Sequence, residues 1–390
     1  MRIGVEERRA RLALRHRLAP ASRSDDPVEI AGDLVGLHAT DPASVYLGAA
    51  ARMRDPALEP VQDALYEARR LVRMLGMRRT MFVLPLDLAA IVQAACAGAV
   101  AARERRKLEG MIDGAGLHPD AAAHLQTVER ATLQALGARG AATGAELSKD
   151  VPALRQEFRF GIGTKWEGVQ RLTTRVLVLL GAEGRVVRGK PRGSWLSSQY
   201  RWTPTASWLP GGLEVWEPDA AQAELARRWL GSFGPATVAD LRWWTGWTAG
   251  ETKRALAALE AVEVELDGEP GLVLADDLEP VAAPEPWVAL LPGLDPTVMG
   301  WKRREWYLGP HGPSLFDSAG NAGPTVWSDG RIVGGWGQPP GGGVAFRLLE
   351  DVGAEARAAV QAEAERLGAW LGGVRVAPRF RTPLELELST

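Results

Sequence analysis

The sequence predicts an α+β, mainly helical fold: three tandem winged-helix units followed by a small C-terminal β domain. Three observations predict it. First, a stretch recurs at an offset of 94 residues, LGARGAATGAELS (136–148) lying over LGSFGPATVADLR (230–242). Second, each copy stands in the same run of helix, short capped helix, amphipathic helix and two extended segments. Third, past residue 285 the pattern changes to short β runs rich in glycine and tryptophan.

The elements follow in chain order. Residues 1–112 read as the most diverged unit, with helices over EERRARLALRHRLA (6–19), PVEIAGDLVGL (27–37) and LEPVQDALYEARRL (58–71). LVRMLGMRRTMFVLP (71–85) alternates like a wing hairpin and sets Arg73, Arg78 and Arg79 near its turn. The second unit, 113–210, opens with AAHLQTVERATLQAL (122–136), which a glycine terminates. Thr143 then caps a short helix, with Glu146 three residues on to close a capping box. VQRLTTRVLVLLGAEG (169–184) follows as the second helix, and GRVVRGKPRGSWLSSQYRWT (184–203) as the wing. The third unit, 211–284, repeats this with DAAQAELARRWL (219–230), Thr237 and Asp240, AGETKRALAALEAV (249–262) and VEVELDGEPGLVLA (262–275). The C-terminal segment, 285–390, holds WVALLPGLDPTVMGW (287–301) and a hairpin turning at Asp329-Gly330, with Arg331 beside the turn. A long helix over 353–372 precedes an expected C-terminal strand.

Composition narrows the function classes. The chain is 46% hydrophobic and 24% charged, the balance of a soluble globular protein of several domains, and no apolar run reaches the ~18 residues of a membrane span. No export signal is visible, which predicts a cytoplasmic protein. Cys96 is the single cysteine and the five histidines lack metal-ligand spacing, so neither a disulfide nor a thiolate zinc site is expected, and no cofactor motif stands out. Net charge is −2, yet arginines and lysines cluster locally. The two wings differ in sign: Arg188, Lys190, Arg192 and Arg201 suit phosphates in the first, whereas Glu263, Glu265, Asp267 and Glu269 repel them in the second. The first repeat is therefore the DNA-facing copy and the second a scaffold. Most of the fifteen tryptophans are expected in packing, and Asp295 either holds an arginine or faces the site.

Four segments together carry a family resemblance: LVGLHATDPASVYLGAAARM (34–53), RRLVRMLGMRRTMFVL (69–84), WVALLPGLDPTVMGW (287–301) and NAGPTVWSDGRIVGGW (321–336). The chain resembles the AlkZ/YcaQ-type winged-helix DNA glycosylases over nearly its whole length. The resemblance implies a monofunctional enzyme acting on duplex DNA that carries bulky N7- or N3-alkylated purines. Several AlkZ-like members protect producers of DNA-alkylating natural products, which implies a role in self-resistance, and the nucleoid as the place of action. The family's catalytic signature, Gln, an apolar residue, then Gln or Asp, falls here on His38-Ala39-Thr40, followed by Asp41. Neither signature position keeps its usual residue. A neutral imidazole titrating near 6.5 accepts a proton from water, a threonine hydroxyl orients that water, and an aspartate offsets charge on the sugar cation. His38, Thr40 and Asp41 are thus the expected catalytic set, with Arg73, Arg78, Arg79, Arg188, Lys190, Arg192 and Arg331 as DNA ligands. The plainer reading ends a helix at His38 and caps the next helix with Asp41. Two rival functions use the same fold. A transcription regulator needs a basic second helix, with Arg171 and Arg175 here, but three unequal copies suit a monomer enclosing a duplex better than a palindrome reader. A silent paralogue binds and shields adducts, and the substituted triplet favours it.

Overall fold

A computed structural model describes residues 1–160, 163 and 167–390; Trp166 lies outside them. The chain opens with a helix over Val5–Arg15 and a second over Pro27–Asp33, where Asp26 accepts from the Val28 amide and proline takes the first helical position. The second helix stops short of residue 37 because Val35 and Gly36 turn the chain at φ 48° and 108°. A Cβ on Gly36 would meet Leu84 at 2.5 Å, so this approach needs glycine. The turn delivers β1 (Leu37–His38), which pairs with β3 (Met81–Pro85); β3 in turn pairs with β2 (Leu71–Leu75), giving the antiparallel order β1-β3-β2. The fully buried helix Pro42–Ala50 follows β1 directly. The Leu86–Gly114 helix is long and apolar enough to cross a membrane, against the expectation from the sequence, but Leu88, Ile91, Val92 and Cys96 pack in the core.

The two repeat segments share element order and caps. Thr143 with Glu146, and Thr237 with Asp240, close capping boxes at the starts of Gly144–Asp150 and Val238–Thr245. The residue before each cap bridges the wing: Ala142 pairs with Trp202, and Ala236 with Leu272. The preceding helices, Ala121–Arg139 and Pro218–Phe233, run past the expected glycines, Gly137 and Gly231. Gly140 closes the first with a positive φ, whereas Gly234 is extended.

The first copy also carries a hairpin that was not expected, β4 (Glu157–Phe160) with β5 (Gly168–Arg171). Its second helix consequently begins at Leu172 and ends at Ala182, which leaves Arg171 on a strand. The wings are β6 (Val186–Pro191) with β7 (Tyr200–Pro204), and β8 (Ala261–Leu266) with β9 (Glu269–Leu274).

The copies part company in their cores. Leu125, Leu136, Leu147, Val176, Leu180 and Val186 of the first copy form a separate core with Leu108 and Ile112 of the Leu86–Gly114 helix. Trp229, Phe233 and Trp244 of the second merge with Val92, Trp301 and Trp327 in the largest core of the chain. The acidic second wing is covered by the N-terminus, where Arg2 bridges Glu265 and Ile3 packs on Val264 and Val273.

The C-terminal sheet has the order β10 (Val288–Leu291), β11 (Thr325–Ser328), β12 (Arg331–Gly337), β13 (Ala345–Leu348). The Gly353–Leu371 helix packs on β10. The expected C-terminal strand is instead a helix, Pro383–Leu388. Proline at the first helical position favours that start, and Leu384 and Leu388, four apart, seat against Gly335 and Gly337 of β12.

Candidate active site

The site is built on β1 and what brackets it. His38 lies opposite Phe82, so strand alternation turns its ring to the side occupied by Phe82 and Met74, with the two rings 5.3 Å apart. It does not end a helix, and among the described residues it bonds no carbonyl. Its Nδ1 is buried with no partner among the described residues, and so is Thr40 Oγ1. Thr40 lies two residues on, past the strand, in the bend that leads into the Pro42–Ala50 helix. Buried polar atoms are usually satisfied, so these two, close in sequence, are candidates for bonding to another molecule.

Burial, with Arg78 as a secondary cause, holds the His38 imidazole down at about 3. His38 is therefore neutral across the physiological range and a far weaker base than the expected group titrating near 6.5. Asp41 is also corrected. Its Oδ1 accepts from the Ala43 amide at 3.1 Å and its Oδ2 from the Arg379 amide at 2.9 Å, so it caps the Pro42–Ala50 helix and ties down the C-terminal segment. None of the described hydrogen bonds joins His38, Thr40 and Asp41 to one another.

The basic residues separate into three sets. Arg78 and Arg79 occupy the β2–β3 tip in the left-handed region, at φ 51° and 61°. Arg78 lies 3.9 Å over Trp243 of the second copy, and burial with Arg304 nearby lowers it to about 10; Arg79 pairs with Glu104 at 2.7 Å. On the first wing, Arg188 stacks 5.0 Å from Trp202, while Lys190 and Arg192 are exposed. Two of the expected DNA ligands are engaged by the protein itself. Arg73 is only 2% exposed and donates to the Ala39 carbonyl at 3.0 Å, so it is not an outer-surface phosphate ligand. Arg331 pairs with Glu350, and the adjoining turn is packed on the first helix, where a Cβ at Gly330 would meet Arg9 at 2.5 Å. This hairpin is thus docked against the protein, not projecting from it.

A second network was only half visible beforehand. Asp295 accepts two bonds from the fully buried Arg52, at 2.7 and 2.9 Å, and Arg52 also reaches the carbonyls of His16 and Gly48. Ser44 donates to the Gly293 carbonyl at 2.7 Å. LPGLDP is thereby the buttress of the Pro42–Ala50 helix. Tyr200 and Arg379, which approach the site from distant segments, carried no motif and were missed.

Residues 31–370 match the family described as DNA glycosylase AlkZ-like. The chain belongs to the AlkZ-like DNA glycosylase family. DNA glycosylases are hydrolases that act on N-glycosyl bonds, and this membership gives the chain its enzyme class. Among curated proteins it is similar to an interstrand DNA cross-link repair glycosylase of Streptomyces sahachiroi, at 31% identity over 129 residues; that alignment spans 31% of this chain and 35% of the relative. Among solved structures it is similar to DNA glycosylase AlkZ of the same organism, with a TM-score of 0.72 and 22% identity, covering 97% of this chain and 100% of that one. At that identity the likeness establishes the AlkZ fold and leaves the chemistry to the residues described above.

Proposed function

We propose that this AlkZ-like chain is a monofunctional glycosylase. It hydrolyses the N-glycosidic bond of bulky N7- or N3-alkylated purines in duplex DNA, as a cytoplasmic, nucleoid-associated monomer serving self-resistance to a genotoxic natural product. Three winged-helix units, at about 1–112, 113–210 and 211–284, enclose the duplex, and the 285–390 segment braces the catalytic strand. The observation that carries the reading is the pair of buried, unpartnered atoms, His38 Nδ1 and Thr40 Oγ1, at the family's catalytic position.

An N7- or N3-alkylated purine is cationic and leaves with the electron pair of the C1′–N bond. Water then supplies the oxygen that bonds to C1′, and its proton passes to the surrounding solvent. A histidine held near 3 takes little part in that proton loss, so His38 works by accepting a hydrogen bond that orients the water, with Thr40 as the second contact. Asp41 keeps the strand end in place through its cap.

The test is single-turnover release of the modified base from duplex DNA containing an N7-alkylguanine. His38→Ala is expected to slow release by about 10², the low end for loss of a positioned catalytic group, while duplex affinity holds. His38→Gln is expected to stay within about tenfold, since an amide replaces the hydrogen bond without basicity. The rate should be flat between pH 5 and 8. No base released by the wild-type chain would reject the proposal and favour a shielding protein. The relative's printed role makes cross-linked duplex the second substrate to try.

A further inference from the structure

Two guanidinium groups converge on Tyr200 beside the catalytic strand, and a third acts on one of them. Arg73 lies 4.9 Å from the centre of its ring and Arg188 5.6 Å. The third, Arg379, donates to the Thr40 carbonyl at 3.3 Å from an exposed position. Arg73, Arg188 and Asp41 all act electrostatically on the Tyr200 phenol, and Arg73 and Arg379 both act on Arg188, so the groups share one neighbourhood. Among the described residues none of the three arginines forms an ion pair with a carboxylate. The acid facing them is Asp41, and both of its oxygens are taken by backbone amides.

Two polar atoms in this cluster are buried without partners: Tyr200 OH, in a residue 7% exposed, and Arg73 Nε, in one 2% exposed. Concentrated positive charge, a free phenolic donor and a free guanidinium N–H call for an anion with several acceptor oxygens. We propose that Arg188, Arg379 and Tyr200, with Arg73 behind them, form a subsite for a single phosphodiester of the DNA strand whose base is released. This rests on the glycosylase reading and adds to it a defined grip. The phosphate is held by the same residues that anchor the Ala39 and Thr40 carbonyls, so seating the backbone and aligning the catalytic strand become one event. The first wing contributes Arg188 and Tyr200, which makes it a part of the site and more than a general electrostatic surface.

The test uses the full chain and a duplex with one N7-alkylguanine, in which single linkages around the lesion are replaced by neutral methylphosphonates. Affinity is read by fluorescence anisotropy, and base release in parallel. Wild type is expected to lose about tenfold in affinity at one linkage. Arg188→Gln and Tyr200→Phe should lose a similar factor on the all-phosphate duplex and show no further loss at that linkage. Arg379→Gln, at an exposed position, serves the same comparison if Arg188→Gln does not fold. Independent, multiplying losses, or no sensitive linkage, would overturn the subsite even if base release is intact. Binding with the expected coupling but no release would reject the glycosylase reading and keep the subsite. No binding to any duplex would overturn both.

Discussion

The two copies of the repeat begin with the same capped turn and end in opposite roles. In the first, the capping-box acid Glu146 sits at the surface and bonds only Thr143. In the second, Asp240 is fully buried and also accepts from the amides of Lys302 and Arg303, at 2.9 and 2.7 Å. The first keeps its own core and a wing of cations, with Trp195 of the wing loop reaching Tyr46 and Trp370. The second gives its aromatics to the common core, and its acidic wing is occupied by Arg2, Ile3 and Arg303. One motif thus serves as a module with its own core or as a joint, depending on whether its apolar face is closed within itself or shared.

The largest expected effect tests that sharing. Trp229→Ala, in the common core, should cost about 3–5 kcal/mol and lower the main calorimetric transition. Leu180→Ala, in the first copy's core, should instead shift a separable transition of that module; one transition lowered equally by both would break the comparison. Next in size, Asp240→Ala strands four donors, two of them amides of a different segment, and is expected to cost about 3 kcal/mol, against about 1 kcal/mol for Glu146→Ala, by urea unfolding.

The wings should separate in DNA binding by a smaller margin. Lys190→Ala with Arg192→Ala should weaken affinity for any duplex by about tenfold and flatten the log–log salt slope by about 2, whereas Glu263→Gln with Glu265→Gln should leave the slope unchanged. An equal response from both wings would erase the distinction.

The smallest effect is pH dependence. His16, which meets Phe233 of the second copy, and His38 are both held neutral by burial, with Arg52 and Arg78 respectively as secondary causes. Their folded pKa values lie below the unfolded value near 6.5, so their contribution is complete above that pH. It is lost as pH falls from 6.5 toward the folded values, at about 1.4 kcal/mol per unit for each histidine. His38→Gln should remove one share of that slope, and a stability curve unchanged from wild type would place a charged His38 in the folded state.

What the sequence determined by itself was local. The 94-residue repeat, its capping boxes, the Asp329-Gly330 turn and the wings' opposite charge are written in short spacings, because caps, turns and period-two alternation depend on neighbours in the chain. Tertiary structure decided which of those features can act. ELEL near the C-terminus alternates like a strand, yet Pro383 and the β12 glycines make it a helix. Arg73 and Arg331 carry the charge of DNA ligands, but one is turned inward to Ala39 and the other sits beside a turn docked on the first helix. His38 was legible as the residue at the family's signature position; its neutrality was not, since a pKa is set by desolvation and by charges folded in from elsewhere. The partners that matter around Thr40 and Asp41, Tyr200 and Arg379, lie more than a hundred residues away in sequence, and only folding gives them a common address.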